Sequence, residues 1–186
     1  MCQPGNHLPD GRQSLRLQGL FENLGLATFP KTSGSKGMQV YLPLNTPGVR
    51  YETTKPFARM VAELLAADEP ELVVSRMTKA RRTGKVLIDW SQNDARKTTV
   101  CVYSLRATPL PTASTPLDWE EVRAAHRSED ASGLSFQAPE ALTRVAERGD
   151  LFAPVLSLVQ ELPAERDGGG GRGGGATRRR ARSSRA

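Results

Sequence analysis

Two short stretches of this 186-residue chain carry the side chains from which chemistry could be built. The first is Phe29-Pro30-Lys31-Thr32-Ser33-Gly34-Ser35-Lys36-Gly37. Its glycines let a backbone approach an anion closely and turn amides toward it. Ser33 and Ser35 add hydroxyl donors, and Lys36 adds a point positive charge. This is not a Walker A loop: the spacing is wrong, and Met38 to Leu44 follows as a strand rather than a helix. On these residues alone, a phosphate cradle and an ordinary hairpin turn both stay open. The second stretch is Lys85-Val86-Leu87-Ile88-Asp89-Trp90-Ser91-Gln92-Asn93, an apolar run that ends in one carboxylate. A carboxylate at the end of a buried strand is costly unless it is paired or binds a metal. Asp89 therefore reads either as a structural acid held by backbone amides or an arginine, or as a Mg2+ or Mn2+ ligand. Magnesium usually takes one or two protein carboxylates together with substrate phosphate oxygens.

A basic run stands between the two. Arg76, Lys79, Arg81, Arg82 and Lys85 fall close together with no acid among them. The run is either a solvated hairpin face or a wall that attracts phosphate. Lys31, beside the cradle, is a further candidate to meet nucleic acid. Arg106 follows Tyr103-Ser104-Leu105 and, on an alternating strand, shares a face with Ser104. The two histidines offer no catalysis: His7 lies in an irregular end, and His126 lies on a polar helix. Cys2 and Cys101 make neither a disulfide framework nor a zinc spacing. Cys101 sits in an apolar alternation and is expected as a buried small hydrophobe, in keeping with a reducing cytosol.

These residues need elements to hold them. Residues 1–12 read as disordered, because Pro4, Gly5, Pro9 and Gly11 interrupt regular structure. Ser14 is expected to cap a helix running to Asn23. Leu26 to Phe29 and Met38 to Leu44 read as strands around the serine-glycine loop. Tyr51 to Ala67 is the strongest helix, with Phe57, Met60, Val61, Leu64 and Leu65 as its apolar face and Thr53 or Thr54 as its cap. Strands follow at Leu72 to Ser75, Val86 to Trp90 and Thr98 to Tyr103, with a turn around Thr83-Gly84. A proline-rich connector, Pro109 to Pro116, leads to helices near Asp118–His126, Pro139–Arg148 and Leu151–Val159. The order predicts an α+β domain with a mixed or antiparallel sheet flanked by helices over residues 13–163.

The net charge of +6 is uneven. Residues 167–186 hold six arginines and one acid, so +5 of it lies in a Gly/Arg-rich tail. Residues 164–186 have too little apolar content to fold and are expected to be disordered. No signal peptide and no membrane-spanning stretch is apparent, so a cytoplasmic, nucleoid-associated protein is expected.

The first stretch resembles the second conserved motif of the polymerase domain of bacterial ligase D, a member of the archaeo-eukaryotic primase superfamily used in non-homologous end joining. Val86 through Asn93 resembles its third motif. Thr98-Thr99-Val100, Tyr103-Ser104-Leu105-Arg106-Ala107 and Ser114-Thr115-Pro116-Leu117 continue the match, which runs from about Leu17 to Leu162. The resemblance implies a partial primase-polymerase fold and a nucleotidyl transferase that extends DNA ends from nucleoside triphosphates. It also implies possible partners in a DNA ligase and end-binding repair proteins. Two Mg2+ or Mn2+ ions would be gripped by three aspartates. Asp89 matches one of them, Ser33 and Lys36 match triphosphate contacts, and Arg106 matches an arginine near the nucleotide phosphates.

The chain departs from that pattern in three places. No Asp-x-Asp precedes the first helix, and Asp10 is the sole acid there. Gln39 stands where the family has a histidine. Thr108 stands where a second basic residue often follows Arg106 by two positions. An N-terminally truncated domain that adds no nucleotide by itself is therefore expected. A non-catalytic nucleic-acid-binding module and one half of a split polymerase are the alternatives.

Overall fold

In a computed structural model, residues 11–76, 84–107 and 109–163 are described. The order is α1 (Gly11–Glu22), β1 (Phe29–Thr32), β2 (Met38–Tyr41), α2 (Tyr51–Asp68), β3 (Val73–Val74), β4 (Val86–Leu87), α3 (Trp119–Ser128) and α4 (Ala138–Arg148). Short 3-10 turns lie at Trp90–Gln92, Ser132–Leu134 and Ala153–Leu156. No helix among the described residues is long and apolar enough to cross a membrane.

Helices form where caps and periodicity agree. Asp118 accepts from the Glu120 amide, and the Glu121 carboxylate accepts from the Asp118 amide, closing a capping box that starts α3. Glu140 and Gln137 start α4 in the same way. The expected cap at Ser14 is corrected: α1 begins at Gly11, and Ser14 is a buried interior residue. Likewise Arg50 rather than Thr53 or Thr54 precedes α2. The expected helix over 151–159 is only the turn Ala153–Leu156.

Phe21, Leu26, Val61, Leu65 and Val73 form one core, joining α1, α2 and β3. Leu117, Val122 and Leu134 form a second under α3. Ion pairs reinforce the first: Arg12 and Arg16 of α1 meet Glu69 at the end of α2, and Arg16 also pairs with Asp68.

The sheets are small and of both senses. β1 and β2 are antiparallel, with Lys31 opposite Gln39 and Thr32 opposite Met38. β3 and β4 are parallel, with Val73 opposite Val86. A parallel pair cannot be closed by a hairpin, so the hairpin expected around Thr83-Gly84 is corrected. The strand expected over 98–103 is also absent. Tyr103 has φ +64, a left-handed conformation that no strand residue holds.

The proline-rich segment 109–116 is no mere connector. Thr32 N donates to Thr115 O at 2.9 Å, Leu117 N to Pro30 O at 2.9 Å, and Lys31 bridges Pro116. On its other side Tyr103 N donates to Ser114 O at 2.7 Å and Arg106 N to Thr112 O at 2.9 Å. Thr112 to Leu117 thus lies as a ribbon between β1 and residues 103–106. Pro111 precedes it and Pro116 lies within it, at positions where no ladder bond needs their missing amides.

Candidate functional site

The β1–β2 hairpin closes through Ser33 to Gly37. Ser33 N donates to Gly37 O at 2.7 Å, and Gly37 N donates back to Ser33 Oγ at 3.0 Å. The Ser33 hydroxyl thereby accepts from within the turn and keeps its own proton for an outside acceptor. Ser35 and Lys36 are exposed at the tip.

Gly34 explains why this turn is glycine-rich. Its φ is +66, and a Cβ built there would meet Arg106 Cγ at 2.8 Å, Ala113 C at 2.9 Å and Ser114 N at 2.9 Å. Thr112 Oγ1 also donates to Gly34 O at 2.7 Å. The turn is seated on the 112–114 ribbon, with the aliphatic stem of Arg106 over it. The turn that carries Ser33 and the exposed Lys36 thus packs against the stem of the exposed Arg106.

Beneath the turn lies Lys31, which is 0% exposed. Its Nζ donates to Ser114 Oγ at 2.6 Å and to Val100 O at 3.1 Å, and stands 5.6 Å from the centre of the Tyr41 ring. No carboxylate pairs with it among the described residues. Burial pushes the ammonium down to about 8; Cys101 opposes that shift and Arg106 adds to it. The expectation that Lys31 meets nucleic acid is corrected, because a side chain with no exposure braces the site from below.

Gln39, opposite Lys31, shares its face of the hairpin. Its Oε1 is buried without a hydrogen-bond partner among the described residues.

Asp89 belongs to the other sheet's segment. It follows β4 in the other sheet and heads the 3-10 turn Trp90–Gln92. Oδ1 accepts from Ser91 N at 3.0 Å and Ser91 Oγ at 2.6 Å, and Oδ2 accepts from Gln92 Nε2 at 3.1 Å. Lys97 reaches the same Ser91 hydroxyl. Burial pushes this carboxyl up, but the bonds from Ser91 and Gln92 and the nearby Lys97 charge outweigh it, and the net shift is downward. No hydrogen bond or ion pair among the described residues links Asp89 to Ser33, Ser35 or Lys36.

The residues present do not fit a two-metal site. Among the described residues no three His, Cys, Asp or Glu side chains gather closely enough to hold an ion. The one expected ligand among them, Asp89, accepts three hydrogen bonds, two on Oδ1 and one on Oδ2, from its own turn.

The basic run divides. Arg76 is exposed at the end of β3. Lys85 Nζ is occupied, donating to Pro70 O at 2.6 Å with Glu71 at 3.7 Å. Lys79, Arg81 and Arg82 lie outside the described residues, as do His7, Asp10, Thr108 and the tail. Cys101, expected to be buried, is exposed, because the strand that would have enclosed it does not form.

Comparison with known proteins decides the family. The model of the LigD primase-polymerase domain matches residues 11–152. The chain belongs to the LigD primase-polymerase family. The non-homologous end joining protein LigD of Mycolicibacterium smegmatis is 42% identical over 139 residues, covering 75% of this chain and 17% of that protein. LigD of Bacillus subtilis is 36% identical over 109 residues, covering 59% of this chain and 18% of its own. A solved polymerase domain from Mycobacterium tuberculosis ligase D, in complex with DNA, matches with TM-score 0.73 and 38% identity, over 84% of this chain and 52% of that one. This LigD-type chain therefore spans about half the solved domain and a small part of the curated relatives. The seating of Gly34 against Arg106 brings the serine-glycine turn to a residue that the resemblance had given as lying near the nucleotide phosphates. The buried Lys31 was not foreseeable from composition; its one signal was its place inside a strand whose neighbours, Pro30 and Thr32, are also buried.

Proposed function

We propose that this chain forms the phosphate-holding side of a ligase D-type primase-polymerase site that works on DNA ends in the bacterial cytoplasm, and that it adds no nucleotide unaided. The seating of Gly34 beneath Arg106 carries the reading. It packs the turn that carries the Ser33 hydroxyl and the exposed Lys36 against the exposed Arg106, an arrangement that suits a triphosphate or a DNA phosphate. The absence of companion ligands near Asp89 among the described residues supports inertness, since one carboxylate does not assemble a two-metal site. Nucleoside triphosphates and DNA ends are the ligands this predicts. A ligase and end-binding repair proteins would be further partners.

The test has two arms. Fluorescence anisotropy with a primer-template DNA end should give salt-sensitive binding, weakened about tenfold by Arg106→Ala or Lys36→Ala. Incubation of the same DNA with nucleoside triphosphates and manganese should give no extension. Template-dependent extension lost in Asp89→Ala would refute inertness, and unchanged binding in both cation variants would refute the site. The absence of companion ligands near Asp89 among the described residues also supports a second reading, a binding module without turnover. That reading expects DNA binding untouched by added triphosphate, whereas a polymerase half expects competition.

A further inference from the structure

Tyr103 holds a backbone conformation that a bulky side chain seldom adopts. Its φ is +64, and a left-handed residue of this kind is strained and persists only where its surroundings impose it. Two hydrogen bonds impose it here. Tyr103 N donates to Ser114 O at 2.7 Å, and the phenol oxygen donates to Asp150 Oδ1 at 2.6 Å. That length suits a hydroxyl on an ionised carboxylate, a stronger bond than one between neutral groups. Burial first, and then the bond to Asp150, pushes the phenol pKa up, so the hydroxyl keeps the proton it donates.

The turn at Tyr103 acts on the residue three positions on. Beyond it the chain lies antiparallel to the 112–117 ribbon: Ser114 N donates to Ser104 O at 2.9 Å and Arg106 N to Thr112 O at 2.9 Å. That register lays the stem of Arg106 on Gly34. Asp150 belongs to the corner after α4. Its Oδ1 also accepts from Phe152 N at 2.9 Å. Phe152 is buried and meets Tyr41 of β2 edge-on, with ring centres 4.8 Å apart. The corner 150–152 therefore grips two segments that meet at the serine-glycine turn: the hairpin through Phe152, and the Arg106 segment through Asp150.

We propose that Tyr103 and Asp150 are positioning residues whose hydrogen bond holds Arg106 over the serine-glycine turn in the geometry that binds phosphate. This rests on the reading of that turn as a phosphate site, and it adds what sets the geometry of the site.

The experiment titrates the full chain with inorganic tripolyphosphate at low ionic strength and reads the affinity by calorimetry. Arg106→Ala should weaken binding at least about tenfold. Tyr103→Phe keeps the ring, removes the donor and should weaken binding about fivefold. In an Arg106→Ala background Tyr103→Phe should cost nothing more, because the bond acts on affinity through Arg106 alone. Asp150→Ala should match Tyr103→Phe. Asp150→Asn loses the charge but keeps an oxygen for both bonds, and should recover most of the affinity lost in Asp150→Ala. Circular dichroism checks folding, and Asp150→Ala replaces Tyr103→Phe in the cycle if the latter does not fold. The proposal is overturned if Tyr103→Phe and Asp150→Ala bind as the parent does while Arg106→Ala does not. It is overturned equally if Tyr103→Phe costs the same with and without Arg106, or if Asp150→Asn is as weak as Asp150→Ala. Unchanged binding in Arg106→Ala would refute the phosphate reading itself, and the positioning role with it.

Discussion

Lys31 offers a measurable consequence of burying a charge without a counter-charge. Its ammonium is held down to about 8 by burial, against an ordinary 10.5. Between those values the folded chain has released a proton that the unfolded chain retains. Stability therefore rises with pH across this window. Below the window the folded state carries the full cost of the buried ammonium, about 3 kcal/mol for a shift of this size. By about pH 9.5 the linkage relation reduces that cost to about 1.4 kcal/mol, a gain of about 2 kcal/mol over neutral pH. Lys31→Met removes the titration. It also removes donors from Ser114 Oγ and Val100 O, a loss of about 1–3 kcal/mol that is independent of pH. The two effects offset near neutrality, so the variant should be about as stable as the parent there. Urea unfolding of both proteins in a Cys101→Ser background across this range isolates the lysine, because Cys101 is the thiol coupled to it there. The difference should move by about 2 kcal/mol in favour of the parent between neutrality and about pH 9.5. Parallel stability curves would refute the claim that Nζ is charged and desolvated in the fold.

Three further outcomes follow from the same geometry. Gly34→Ala should destabilise by about 2–4 kcal/mol in urea unfolding and weaken DNA binding, because it combines a left-handed backbone with overlap onto the 113–114 backbone. Asp89→Ala should cost about 1–2 kcal/mol as a lost cap while Asp89→Asn keeps most of it; added manganese should leave the Tm of the parent unmoved, because no group of three His, Cys, Asp or Glu gathers among the described residues to hold it. A thiol reagent should label native protein at Cys101 without denaturant, and Cys101→Ser should lose that equivalent, as its exposure requires.

The helices were legible because several local signals coincide at them. Asp118 and Glu121 form their capping box three residues apart, and the buried side of α2 follows the spacing of Val61 and Leu65. The site was half legible. The serine-glycine turn and Arg106 meet as their motif order implied, because glycine spacing reports a backbone constraint directly. The failures share a cause: pairings between distant segments decided them. Ser114 and Thr115 are recruited by Thr32, so a proline-bounded stretch becomes a ribbon. Tyr103 turns left-handed where its amide reaches Ser114, which ends the strand expected over 98–103 and leaves Cys101 open. At Asp89 the sequence left a structural acid and a metal ligand open; its hydrogen bonds to Ser91 and Gln92 show the local cap, for which the Asp-Trp-Ser-Gln order was the available clue.

The shared direction of β3 and β4 has a geometric corollary for the cationic stretch joining them. Chain leaving the far end of one strand must travel back to the near end of the next. Arg76 and Lys85 thus mark opposite rims, separated along the strand axis by about 13 Å, or about four nucleotide rises. Lys85 is turned back to the Pro70 carbonyl and Glu71 at the entrance to the strand pair, whereas the exposed Arg76 stands past its exit.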